Sequence, residues 1–236
     1  MQLFYNPTLD ASTTSFFFSP EESKHISRVL RKKEGDVLHI TDGKRILYQA
    51  ELLNTDSRKC SAQIIKIQKT EAKSYYLHMA VAPTKMNDRF EWFLEKATEI
   101  GVDEITPILC ARSERKNLKS ERMQRVLQSA MKQSLQTFLP KLNPLSSLDD
   151  FLENQPLNYL SFIAHCEENE KKELKNVLAP GRNTTILIGP EGDFTPDEIT
   201  KAIKKGYHPV AMGNTRLRTE TAAIVACSAV ALANIE

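Results

Sequence analysis

The chain reads as an α/β protein with a small, mainly β domain in front of it, and three observations predict this. From Tyr75 onward, short apolar runs alternate with helical patterns, the signature of a parallel sheet. Up to about residue 70 the pattern is instead apolar–polar alternation around turn signals. Near the end of the chain stand two glycine-bearing turns, Ile188-Gly189-Pro190-Glu191-Gly192 and Met212-Gly213 through Ala222, each after an apolar run and before a helical pattern. Two such turns can stand side by side at the edge of an open α/β sheet where ligands bind.

In the first domain, residues 1–70, Ser19-Pro20-Glu21-Glu22 supplies an N-cap, a proline at the first helical position and a capping-box glutamate. The helix runs on through Arg28, Arg31, Lys32 and Lys33, with Gly35 closing it. Asp36–Thr41 alternates as a strand, Asp42-Gly43 is a hairpin turn, and Lys44–Leu53 and Cys60–Gln68 supply further strands. Few strands around one helix point to a small barrel. The polar, aperiodic stretch Lys69–Ser74 marks the boundary, and residues 73–236 form the second domain.

There Tyr75–Ala82 reads as a strand and Asn87–Ile100 as a helix ended by Gly101. Ile105–Leu109 is the next strand and Ser120–Thr137 the next helix. Tyr159–Ala164 and Thr185–Ile188 are short buried strands. Thr195-Pro196-Asp197-Glu198 is a capping box, with Phe194 and Ile199 placed as its hydrophobic staple. That helix ends at Gly206; Pro209–Met212 is the last strand and Thr219–Ala233 the last helix.

Composition narrows the function classes. With 41% hydrophobic and 26% charged residues the chain is an ordinary globular one, and a net charge of +2 means that any polyanion must find a local basic patch. Cys60, Cys110, Cys166 and Cys227 form no C-x-x-C pair, which argues against zinc and disulfides and fits a reducing cytoplasm. The five histidines show no metal spacing, so no metal is expected. The start of the chain lacks a signal-peptide pattern, and Ala222–Ala233 is too short to span a bilayer.

The second glycine turn carries the chemistry. Thr219 is placed as an N-cap and Glu220 sits in a first helical turn, where the dipole favours an anion. Arg216 and Arg218 have no such structural reason, because cations are disfavoured there, and they point to an anionic ligand or substrate. The helix cluster Arg28, Arg31, Lys32 and Lys33 is more simply a solvated face. Arg112 to Lys116 follows a strand, where loops are more often functional, and the two clusters together make a candidate phosphate track. His165 follows a strand at the level of the glycine turns and is a weaker site candidate. No dinucleotide fingerprint, phosphate loop or nucleophile elbow occurs.

These residues resemble the ribosomal RNA small subunit methyltransferase E family of the SPOUT superfamily. The resemblance rests on Ile188 to Gly192, Phe194, Glu198, Gly213 and Leu217 to Ala222. It extends to His25-Ile26, Val29 to Arg31, Gly35-Asp36, Lys85, Asp88-Arg89, Glu95 to Val102 and Arg112-Ser113. It implies a SPOUT-type parallel sheet with a deep trefoil knot, a PUA-like N-terminal β-barrel that helps to bind RNA, and a homodimer. It also implies methylation of uridine N3 in 16S ribosomal RNA, the target being a uridine near the 3′ end.

The implied cofactor is S-adenosylmethionine. Its site maps onto Ile188, Gly189, Pro190, Glu191 and Gly192 of the first turn, and onto Met212, Gly213, Leu217, Thr219, Thr221 and Ala222 of the second, with His165. Arg28, Arg31, Lys32, Lys85, Arg89, Arg112 and Arg115 are the RNA-binding candidates, and Arg218 and Glu220 the catalytic ones. Asp193 stands where the family commonly has a third glycine. Thr215-Arg216 stands where it often has an arginine followed by a β-branched apolar residue, and the helix around Lys132 lacks an arginine often found there. Glu220 either orients Arg218 or acts as the base. Rival readings are a 2′-O-ribose or guanine-N1 methyltransferase and a non-catalytic RNA-binding module.

Overall fold

A computed structural model describes residues 1–154, 156, 158–167 and 170–235, which divide into two compact units. The first comprises Met1–Ala72 and Met131–Leu139, the latter a segment that the sequence reading leaves with the second domain. Its strands are β1 (Leu3–Tyr5), β2 (Ser15–Phe17), β3 (Val37–Thr41), β4 (Ile46–Asn54) and β5 (Ser61–Lys69), in the sheet order β1-β3-β4-β5-β2. Only β1 and β3 run parallel. The β3–β4 turn forms because Asp42 Oδ1 accepts from the N–H of Lys44 at 2.7 Å while Gly43 takes a left-handed φ of 76°. Backbone bonds from Arg45 N to Thr137 O and from Leu139 N to Gly43 O attach residues 131–139 to this turn.

Helix α1 (Pro20–Lys24) starts as expected, with Ser19 Oγ accepting from Glu22 N at 3.2 Å. It does not continue regularly to Gly35. It widens into a π-helical turn over His25–Val29, and Arg31 then leaves it in a left-handed conformation, φ 52°. The wider turn seats Ile26 in a core with Phe4, Ile40, Tyr48 and Ala50. Arg28 and Arg31 stay exposed.

The second unit, Lys73–Ala130 with Pro140–Glu236, holds the parallel sheet. Its elements are β6 (Leu77–Val81), α2 (Asn87–Ile100), β7 (Glu104–Leu109), α3 (Ser120–Gln133, whose last three residues belong to the first unit), β8 (Lys141–Leu142), β9 (Ser146–Ser147) and α4 (Leu148–Glu153). They are followed by β10 (Leu160–Ala164), β11 (Lys172–Glu173), β12 (Thr184–Ile188), α5 (Pro196–Lys204), β13 (His208–Ala211) and α6 (Thr219–Ala233). Helix α3 ends before Thr137 because Leu135 turns left-handed, φ 58°. Sheet order is β11-β13-β10-β12-β6-β7-β8, every pair parallel, with β9 beside β7.

Strands β6 and β12 are buried throughout, as central parallel strands covered on both faces must be. One face carries Ala80, Ile163 and Leu187 in a single core with Phe151 of α4 and Ile199 and Ala202 of α5. On α2, Phe90, Phe93, Leu94 and Ala97 are buried, and α6 packs against α2, β6 and β12. Phe194 and Ile199 share the α5 core, and Thr195 and Glu198 form the reciprocal capping box. No helix among the described residues is long and apolar enough to cross a membrane.

At the amino-terminal edge of this sheet lies a buried polar network. His78 Nε2 and Thr106 Oγ1 are 2.7 Å apart, Asn143 donates to Thr106 and Glu104, and Tyr76 and Lys141 donate to Glu104. Burial holds the His78 imidazole down at about 4, below its ordinary 6.5. Burial alone would raise the Glu104 carboxyl, but the bonds from Lys141 and Asn143 outweigh it and bring it to about 2. For both groups the folded state binds protons less readily than the unfolded one, so both stabilise above their ordinary values and lose that contribution on acidification. Stability therefore falls by about 1.4 kcal/mol per pH unit from His78 alone between its ordinary value and its folded one. Denaturant titrations at stepped pH check this: His78→Gln should flatten the slope between pH 6.5 and 4 and leave the Glu104 loss, below pH 4.5, in place.

Candidate active site

Strands β13, β10 and β12 are neighbours, with Val210, Ala164 and Ile188 in register, so the loops leaving their carboxyl ends emerge together. Strands β13 and β12, which lead into the two glycine turns, are not neighbours in the sheet. The exit of β10 lies between them, which is what brings His165 into the site. A cavity of about 630 Å³ opens among the three loops.

Of the twelve expected cofactor residues, ten line the cavity: His165, Ile188, Gly189, Pro190, Glu191, Met212, Gly213, Leu217, Thr219 and Ala222. Gly192 and Thr221 do not. Gly192 is instead required by Arg112, whose Cβ would lie 3.1 Å from any Cβ added there. Arg218 also lines the cavity, with Cys166, Lys171, Asp193, Asn214, Thr215 and Arg216, which the sequence did not assign to it. Lys171 carried no sequence signal, being one lysine in a polar loop. Asp193 was visible only as a departure from the family pattern, whereas Arg216 had also stood out as a cation with no structural reason to be there.

Each turn has a local cause. At Gly189 an added Cβ would meet the Phe194 ring at 3.0 Å and the Phe194 amide nitrogen at 3.2 Å. Gly213 is open but sits at φ 114°, which only glycine adopts without strain. Thr219 is not the N-cap of α6. Arg218 occupies that position, and Thr219, one residue inside the helix, donates its hydroxyl to Gly189 O at 3.0 Å. That bond ties the last helix to the first glycine turn.

His165 is buried, and both its ring nitrogens lack a hydrogen-bond partner among the described residues. Burial, then the charge on Lys171, lowers its pKa. Lys171 Nζ donates to His165 O at 2.8 Å and to Glu167 O at 2.6 Å. Glu220 is buried but does not line the cavity. Its Oε1 lies 3.8 Å from Arg89 Nε, and its Oε2 has no partner among the described residues.

Arg112 and Arg115 prove to be braces. Arg112 donates to Gly192 O at 2.9 Å and Phe194 O at 3.3 Å. Arg115 donates to Thr84 O at 3.0 Å and to Lys85 O. Lys85 Nζ pairs with Glu114 at 2.8 Å, and its backbone N–H donates to Glu191 Oε1 at 2.9 Å. Glu198 Oε1 accepts from Ala111 N at 2.7 Å. Among the described residues no group of three His, Cys, Asp or Glu side chains could hold a metal ion.

The Gly189–Phe194 contact makes a stability prediction. Gly189→Ala should cost about 1–3 kcal/mol by overpacking. In a Phe194→Leu background, where the ring is gone, the added cost should shrink, as chemical denaturation of the four species in a double-mutant cycle would read. Additive losses would mean that Phe194 does not set the turn.

An RNA methyltransferase domain family matches residues 71–231, and an RNA methyltransferase PUA domain family matches residues 18–65. A ribosomal RNA small subunit methyltransferase E from Mesomycoplasma hyopneumoniae is 32% identical over 75% of this chain and 78% of its own. Among solved structures, a probable rRNA-methyltransferase from Porphyromonas gingivalis is 36% identical, with a TM-score of 0.93 over 99% of this chain and 98% of that one. A ribosomal RNA small subunit methyltransferase E from Neisseria gonorrhoeae, bound to S-adenosyl methionine, is 26% identical, with a TM-score of 0.87 over 97% and 96%. With matches that run through both units, this chain belongs to the ribosomal RNA small subunit methyltransferase E family.

Proposed function

We propose that this protein methylates N3 of a uridine in 16S ribosomal RNA, with S-adenosylmethionine as methyl donor. The observation that carries the reading is the cavity at the carboxyl edge of the sheet. Both glycine turns line it, and the exposed Arg218 stands among them. The residues fit the cofactor: Gly213 leaves open space where a side chain would stand, and His165 offers two buried ring nitrogens without partners among the described residues. Ile188 to Glu191 and Met212 to Leu217 would hold the adenosyl part. S-adenosylmethionine supplies an electrophilic methyl group on a sulfonium.

Uridine N3 must lose its proton to become nucleophilic, and negative charge then spreads onto O2 and O4. Arg218 is the group we assign to that charge. No hydrogen bond or ion pair holds its guanidinium among the described residues, and it caps α6 beside the cavity. Glu220 is the candidate proton acceptor that we retain: its Oε2 is buried and unpartnered among the described residues and Arg89 lies against its other oxygen, but it stands outside the cavity lining and would have to be reached from there. Orientation of Arg218 by Glu220 has less support, since the partner of Glu220 is Arg89.

The same reading takes residues 1–70 as the RNA-binding domain and 73–236 as the catalytic one. It includes a deep trefoil knot and a homodimer in the cytoplasm. Support for the knot is the return of α6 to β6, β12 and α2 after the chain has passed to β13 on the far side of β10. Support for the dimer is a second, apolar groove along α6 lined by Ile224, Val225 and Leu232, with Val225, Leu232 and Ile235 exposed. Arg28, Arg31 and Lys32 remain the RNA contacts of the first unit, Lys85 and Arg89 those of the second, and Arg112 and Arg115 shape the surface rather than reach from it.

Two measurements test this reading. In single-turnover methylation at saturating RNA and cofactor, Arg218→Ala should lower the rate by about 100-fold or more. Arg218→Lys should rescue poorly, because an ammonium lacks the planar two-donor fork. A near-normal rate for Arg218→Ala would leave it a binding residue, and a product other than 3-methyluridine would overturn the assignment. In RNA binding, Arg28→Gln, Arg31→Asn and Lys32→Gln together should flatten the salt dependence by at most about one slope unit per lost phosphate contact. Asparagine is chosen at Arg31 because it tolerates the left-handed backbone there. An unchanged slope would return this helix to a solvated face.

A further inference from the structure

Asp193 stands in the first glycine turn at φ 62°, a left-handed conformation that asparagine, aspartate and glycine tolerate best. The turn is closed locally by Asp193 N donating to Pro190 O at 2.9 Å. Glycine would serve the backbone alone, so the side chain needs a reason of its own. Its two carboxylate oxygens have separate tasks. Oδ1 accepts from the next residue, Phe194 N, at 2.8 Å. Oδ2 reaches across to the loop leaving β10 and accepts from Cys166 N at 2.7 Å. Both loops line the cavity.

The cross-loop bond changes what the cavity wall can do. Cys166 follows His165, and the backbone carbonyl of His165 is held on its other side by Lys171 Nζ at 2.8 Å. The peptide group that joins His165 to Cys166 is thus held from two sides, its N–H to the first glycine turn and its C=O to Lys171 of its own loop. Cys166 is exposed, so without the tie its N–H can turn to water and the loop can move away from the turn. A charged acceptor on a backbone N–H is among the stronger hydrogen bonds available.

We propose that Asp193 is a positioning residue that straps the β10 exit loop to the first glycine turn, fixing His165 and the width of the cofactor cavity. The inference rests on the reading of this cavity as the S-adenosylmethionine site. Asp193 acts through the backbone of Cys166 and needs no contact with the cofactor. In this chain the carboxylate supplies a loop-to-loop bond that a glycine at the same position cannot.

The test uses the full-length protein with Asp193→Gly, Asp193→Ala and Asp193→Asn. Glycine keeps the left-handed backbone and removes the strap, so the variant should fold with a thermal midpoint near that of the wild type. Calorimetric titration should show its Kd for S-adenosylmethionine raised about tenfold, the scale of one charge-assisted bond. Amide hydrogen exchange of the cofactor-free protein should speed up at Cys166 in step. Asn, which keeps one acceptor oxygen, should fall between wild type and Gly in both readouts, and Ala, which also strains the backbone, should add a loss of thermal midpoint.

A Gly variant with wild-type Kd and wild-type exchange at Cys166 would overturn the strap. So would a raised Kd with unchanged exchange, which would make Asp193 a direct ligand instead. A merely structural role predicts the reverse pattern, a lowered midpoint with Kd unmoved, and would also overturn it. Failure of the wild type itself to bind S-adenosylmethionine would remove the reading on which the proposal stands, an outcome distinct from the others.

Discussion

Three parallel strands ending side by side impose the constraint on which the rest depends. Strands β13, β10 and β12 bring the carbonyls and amides of their carboxyl ends side by side, with Val210, Ala164 and Ile188 in register. Loops must leave there, close together, and must satisfy or shape those polar groups. Gly189 and Gly213 solve two different parts of this problem. One makes room for Phe194, and the other takes a backbone conformation that other residues resist. The hydroxyl of Thr219 then closes the arrangement by bonding Gly189 O from the first turn of α6. A site built from neighbouring loops follows from this sheet edge, and each loop is bound to a neighbour.

Polar side chains supply that binding, and they are the residues that look most like ligand contacts. Arg112 holds two carbonyls of the turn that contains Gly192, Arg115 holds the loop at Thr84 and Lys85, and Glu191 and Glu198 each receive a backbone N–H from a different segment. An arginine aimed at carbonyl oxygens braces a loop as well as it could bind a phosphate, and only the fold decides between them. Arg218 differs in kind. It stands at the rim of the cavity with no partner among the described residues, and a free cation there has substrate as its natural counterpart.

Much of this was legible in the sequence, for identifiable reasons. Helices Asn87–Ile100 and Thr219–Ala233 have the predicted limits because Gly101 and the charged turn before α6 mark their ends chemically. The α5 capping box was readable because its bonds span three residues. The end of α1 was not, since a π turn is set by what Ile26 packs against rather than by a breaker residue. Likewise the attachment of residues 131–139 to the β3–β4 turn is a bond between distant segments. At the site the glycine turns were visible, whereas the place of Thr219, the interposed β10 exit and the contribution of Lys171 depend on strand order. Asp193 could be seen as unusual, but its partner could not.

Methylation of a uridine of the small-subunit RNA by this chain can be read in cells. Mass mapping of 16S ribosomal RNA, with and without the gene for this chain, reads every modified nucleotide at once. The account predicts the loss of a single methyl group from one uridine base in the deletion strain, with the ribose methylations and methylguanosines unchanged, and its return on complementation. An identical modification map in both strains, or a loss confined to a ribose or a guanine, would contradict it.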